Sequence, residues 1–156
     1  MTEAQAPEAP SFLEQLRTMK WNFWVANLIE AVERLAFFGV RAVLPLYMVE
    51  TVGGGLGLSY TEKGIIYGVW ALLQCLIPMV SGGYTDSYGY KASMFVAFTI
   101  NILGYSLMAN VELLNDATSL PIFWGMMGAA CLVGTGTAIF KPPVQGMVAK
   151  SLHEGN

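Results

Sequence analysis

The sequence predicts an all-α membrane protein of about four transmembrane helices. Hydrophobic residues fill 54% of the 156 positions and charged residues only 12%, against roughly 25% charged in ordinary soluble domains. The mean hydropathy is +0.51. Residues 64–85, 92–111 and 117–140 carry no charge, and each run approaches or exceeds the ~20 residues that cross ~30 Å of hydrocarbon. A soluble helix bundle needs a charged face on every helix, and these runs have none. High hydrophobicity excludes disorder. A net charge of −3 and scattered Lys and Arg argue against a nucleic-acid partner.

The expected layout is a tail over residues 1–20, helices over about 21–49, 62–84, 91–111 and 119–149 within a membrane region 21–150, and the start of a loop over 151–156. The tail is polar, holds Pro7 and Pro10, and ends in a short amphipathic stretch over 12–19. It lacks the basic segment, apolar core and cleavage site of a secretory signal. Trp21, Trp24 and Tyr47 suit the two interfacial belts of the first helix. A Gly-rich segment, 52–58, follows, and Ser59 with Glu62 has the spacing of a capping box that starts the second helix. Residues 85–91 read as a short polar turn. Asn115, Asp116 and Ser119 precede Pro121, a good first-turn residue for the last helix. Cys75 and Cys131 lie in apolar runs and the lone His153 lies in a polar tail, so the cysteines read as small hydrophobes and no metal site is expected.

Four spans put both termini on one side. That side holds Arg17, Lys20, Lys91 and Lys150, and the opposite loops hold Lys63. The positive-inside rule then sets the termini and Asp86 in the cytoplasm, with the chain in the cell membrane.

The first helix is the unusual one. Glu30, Glu33, Arg34 and Arg41 interrupt its apolar sequence. Four unpaired charges in mid-membrane would cost about 10 to 14 kcal/mol, so they should pair and face the bundle interior or water. Glu30, Arg34 and Arg41 fall within about 40° of one another around the helix, with Glu33 about 60° to one side. Glu30 and Arg34, four residues apart, suit a direct ion pair. One reading is a self-paired cluster that ties helices together. The other is a polar pathway in which burial and nearby cations set when the carboxylates ionise. Lys141 stands beside Pro142 and Pro143, which are expected to bend or unwind the fourth helix and open a wet site there. The competing reading is a lysine that snorkels to the interface.

Glu30-x-x-Glu33-Arg34 followed by Phe37, Phe38, Gly39, Val40 and Arg41 resembles the first-helix motif of proton-dependent oligopeptide transporters, within the major facilitator superfamily. Gly136 through Lys141 and Pro142 resembles that family's fourth-helix motif, and Gly82, Gly83, Tyr84, Thr85, Asp86, Gly89 and Lys91 resemble the superfamily's loop between helices two and three. The resemblance implies the first part of an N-terminal six-helix bundle. It implies proton coupling through Glu30, Glu33, Arg34 and Lys141, and substrate binding by Arg34, Arg41, Tyr67 and Lys141, with Arg41 meeting a peptide carboxylate. Gly82, Asp86, Gly89 and Lys91 would form a gating loop.

The sequence departs from the family pattern. Phe37 and Phe38 stand where hydroxyl-bearing aromatics are usual, and Cys75 stands for a Tyr. Pro143 stands for Asn and Ala138 for Gly, and Ser87 and Tyr90 are not basic. Coupling residues are kept while pocket-wall residues have drifted.

The expected function is the N-terminal part of a proton-coupled symporter for short peptides or similar small organic solutes. The alternatives are a superfamily transporter of another solute, such as an organic acid, or a membrane helix assembly that transports nothing. No covalent chemistry, metal or cofactor beyond the coupling proton is expected. The expected partners are the lipid bilayer, the substrate and the remaining helices of a full-length transporter. Such transporters pair two six-helix halves, so about four spans read as a truncated chain.

Overall fold

The structure, a computed structural model, describes residue 17 and residues 19–153, with side chains as far as Lys150. Five helices follow in chain order: α1 Trp21–Val49, α2 Tyr60–Tyr88, α3 Tyr90–Ala109, α4 Val111–Thr118 and α5 Ile122–His153. No strand occurs among the described residues. The expected tail lies almost wholly outside the described residues, as do residues 154–156 of the expected final loop. Residues 151–153, also assigned to that loop, continue α5.

Among the described residues, three helices are long and apolar enough to cross a membrane: α2, α3 and the Ile122–Lys150 part of α5. α1 matches α2 in length, at 29 residues, but carries the charged cluster. Polarity runs opposite to that of a water-soluble fold. Leu28, Leu35, Phe95 and Ile102 point outward, while Glu33, Ser81, Thr85, Asn101 and Thr137 are buried. An apolar exterior around a polar interior suits hydrocarbon as the surrounding solvent.

α5 is the hub, packing most extensively on α3, then on α2 and on α1. Small residues make the approach possible. A Cβ on Gly104 would strike Val133, one on Gly134 would strike Trp70, and one on Gly136 would strike Asn101. Between apolar helices in lipid, such close backbone contact replaces the hydrophobic drive that water supplies. Phe37, Ile66, Trp70, Met108, Met126 and Val133 build the main core, and Met94, Ala97, Phe140 and Val144 a smaller one.

The connections differ from the sequence reading in instructive ways. The capping box forms as expected: Glu62 N–H donates to Ser59 Oγ at 3.2 Å, and Ser59 N–H donates to Glu62 Oε2 at 2.8 Å. The Gly-rich segment before it is no free loop. Leu56 and Leu58 donate their N–H groups to Tyr47 and Met48 carbonyls at 2.9 and 2.8 Å, so the segment folds back on the end of α1. Gly55 is required there, because a Cβ would collide with the Tyr47 and Glu50 carbonyls.

The turn expected over 85–91 is helix except at one residue. α2 continues through Asp86 to Tyr88, and α3 begins at Tyr90. Thr85 and Ser87 hydroxyls donate to the carbonyls of Ser81 and Gly83, which lets polar residues stay inside a helix. Gly89 alone makes the corner, at φ 86°, a conformation that glycine adopts without strain. The third span ends at Ala109, and α4 fills a region read as loop. Its Val111 is buried against Gly125. The unwinding expected at Pro142 and Pro143 does not occur: α5 runs as helix through both. The two prolines lack donors for the carbonyls four residues back. Membrane helices tolerate this where neighbours enclose the backbone, and Pro143 and Val144 are fully buried.

Candidate functional site

The site begins with the buried stripe of α1. Ala26, Glu33, Phe37, Leu44 and Met48 recur at intervals of seven and four residues and enter the bundle. Glu33 is therefore the carboxylate that reaches the interior, with 5% of its side chain exposed, against 39% for Glu30 and 31% for Arg34. The wheel geometry had set Glu33 to one side of the charged face. Packing on α5 selects it instead.

Arg34 joins the two acids. Its Nε lies 3.6 Å from Glu33 Oε2 and 3.9 Å from Glu30 Oε1. The expected Glu30–Arg34 pair is present, and the Glu33 pair is the shorter. Both distances exceed hydrogen-bond length, so these are ion-pair contacts. Both Glu33 oxygens are buried without a hydrogen-bond partner among the described residues. Thr137 and Lys141 of α5 and Tyr105 of α3 lie near the Glu33 carboxyl. Glu30, Glu33 and Arg34 thus form one ion-pair cluster on α1, with Lys141 on the facing helix.

Arg41 stands apart, about 10 Å farther along α1. Its guanidinium carbon lies 5.6 Å from the Phe37 ring centroid, 5.8 Å from Trp70 and 6.0 Å from Tyr67. Three rings from two helices thus hold one cation by its attraction to their π faces. Phe37 and Trp70 meet edge to face at 5.7 Å. The Tyr67 hydroxyl and the Trp70 Nε1 are buried without hydrogen-bond partners among the described residues. The sequence reading missed Trp70, Tyr105 and Asn101. Asn101 was legible as a carboxamide in an uncharged span, whereas Trp70 and Tyr105 look like ordinary apolar fillers until the helices are assembled.

The four residues assigned to a gating loop do not form a loop. Gly82 and Asp86 lie in α2 and Lys91 in α3, and only Gly89 is outside a helix. Gly82 and Gly83 make no close helix approach: a Cβ on either would meet nothing within 4 Å. Asp86 is exposed and forms no ion pair with another described residue.

The described residues form a helical bundle with charges inside and apolar side chains outside, the architecture of a membrane-embedded protein. The sequence model of the Major Facilitator Superfamily matches residues 27–156, and the chain belongs to that superfamily. It is 30% identical over 148 residues to dipeptide and tripeptide permease B of Aliivibrio fischeri, covering 94% of this chain and 26% of that protein. It is 28% identical to peptide transporter YePEPT of Yersinia enterocolitica, covering 83% of this chain and 24% of that one. It is 30% identical to solute carrier family 15 member 1 of Mus musculus, over 85% of this chain and 19% of the relative. The chain thus spans 19–26% of the length of these relatives. No solved structure matches it.

Proposed function

We propose that the chain is the N-terminal part of a proton-coupled symporter of short peptides or similar small organic solutes. The observation that carries this reading is Glu33, buried in α1 with Arg34 at 3.6 Å and Lys141 acting on it from α5. The proton occupancy of such a carboxylate is set by the balance between burial and neighbouring cations. The cluster Glu30, Glu33, Arg34, Lys141 and the separate Arg41 hold three cations and two carboxylates, one net positive charge when fully ionised. A substrate carboxylate neutralises that charge. Protonating one acid raises it and strengthens the attraction, so proton and substrate favour each other's binding, as reciprocal linkage requires. The names of the relatives support a peptide substrate. The termini face the cytoplasm in this reading, and the protein performs no covalent chemistry.

The test is uptake into proteoliposomes by a complete transporter that carries this segment. An inward proton gradient should drive dipeptide accumulation, and Glu33→Gln should abolish it while leaving counterflow exchange of dipeptide. Gradient-driven accumulation that survives Glu33→Gln would reject the coupling role. An organic acid as substrate is favoured by one observation: Phe37, packed against Arg41, has no hydroxyl to offer a peptide. Competition by a monocarboxylate, in the absence of competition by dipeptides, would select that reading.

A further inference from the structure

At one end of the bundle, where α1 and α3 begin and α5 approaches its end, lies a cavity of about 650 Å³ lined by Lys20, Lys91 and Lys150 with Tyr88, Tyr90 and Met147. Among the described residues its lining holds no carboxylate, and because Lys20 is already engaged in an interaction of its own, Lys91 and Lys150 carry its basic character. Gly146 lets the Tyr90 ring lie against α5 beside it.

A second concavity of about 620 Å³ shares Tyr88 and Ala92 with the first. It runs along the outer surface between α2 and α3, from Leu76 to Tyr88, past Val80 and Val96, and is almost wholly apolar. The twelve helical rises from Leu76 to Tyr88 make a groove about 18 Å long, close to the ~15 Å of hydrocarbon in one leaflet. A basic chamber at the end of an apolar groove has the form of a charged headgroup joined to an acyl chain. Free phosphate would account for the lysines and leave the groove without a role.

We propose that this composite surface binds one anionic phospholipid, its phosphate at Lys91 and Lys150 and one chain along the α2–α3 groove. Basic pockets between membrane helices recognise such headgroups, each lysine contributing on the order of fivefold in affinity. The site is separate from the Glu33 cluster and does not depend on what the protein carries.

The purified chain in detergent is titrated with dioleoyl phosphatidylglycerol and, in parallel, dioleoyl phosphatidylcholine, and bound lipid is counted by native mass spectrometry. Phosphatidylglycerol should bind about tenfold tighter. The double variant Lys91→Gln/Lys150→Gln should erase that preference, Lys91→Arg/Lys150→Arg should keep it, and Lys63→Gln at the other end should not change it. Val80→Trp, which fills the groove, should weaken phosphatidylglycerol binding at least threefold. Equal affinity for the two lipids, or an unchanged preference in the double Gln variant, would overturn the proposal. Displacement of the lipid by inorganic phosphate at equal concentration would assign the lysines to a free anion and overturn the lipid. Unchanged binding in Val80→Trp would overturn the groove. If the double Gln variant loses its helical signal, the Arg pair and Val80→Trp still decide.

Discussion

The α-carbon of Gly136 lies so close to the Asn101 carboxamide that no Cβ fits between them, and this contact locks α5 onto α3. Asn101 is buried in this contact, whereas Thr137, the next residue along α5, is buried beside Glu33 of α1. Gly136→Val should therefore destabilise the purified protein by about 1–3 kcal/mol, the usual cost of overpacking. Gly134→Leu, against Trp70, should do the same. Gly83→Ala meets open space and should be neutral or stabilising by about 0.5–1 kcal/mol, because alanine gives up less freedom in a helix. Denaturation in mixed micelles measures all three. Equal loss in Gly83→Ala would mean that backbone approach is not what the glycines provide.

Lys141 acts on Glu33 from the opposite helix. In a complete transporter, Lys141→Ala should abolish proton-driven accumulation while some counterflow persists. Lys141→Arg keeps the charge and should retain more coupling than Lys141→Gln. If the Arg and Gln variants both run near the wild-type rate, Lys141 only reaches for the interface.

Glu30 and Glu33 flank the same guanidinium but differ in burial. Removing Glu33 leaves Arg34 with an exposed partner, whereas removing Glu30 leaves the buried pair intact. Glu33→Gln should cost ten times or more of the coupled rate lost with Glu30→Gln. The comparison needs proton flux and substrate flux measured together. Equal deficits would show that burial does not distinguish the two acids.

Arg41 rests on Phe37, Tyr67 and Trp70, which hold its charge without neutralising it. An always-charged planar fork suits a carboxylate. Arg41→Lys should weaken uptake of a dipeptide roughly tenfold, since the two-bond fork is worth more than a point charge, and should do much less to the C-terminal amide. Equal loss for both substrates would leave Arg41 as a structural ion.

The topology is checked by reporter fusions. Fusions after Gly55 and after Asn115 should report the outside, and a cysteine placed at Ser87 should react with a membrane-impermeant reagent only from the cytoplasmic face. A cytoplasmic signal after Asn115 would require a different count of crossings.

The sequence by itself determined the helical membrane character, because long uncharged runs leave the backbone no other way to satisfy its hydrogen bonds in hydrocarbon. It determined the start of α2, because the Ser59–Glu62 capping box is local chemistry. It also singled out Glu30, Glu33, Arg34, Arg41 and Lys141, because charges inside apolar segments are conspicuous. It misjudged the segment around Asp86 and the one around Pro142. In each, turn-forming residues sit inside a helix that side-chain hydrogen bonds or packing against neighbours support. Only the tertiary structure decided that Glu33 is the buried acid and that aromatic rings of two helices lie against Arg41. Both follow from which stripe of α1 meets α2 and α5, a matter of packing between helices that no single helix displays.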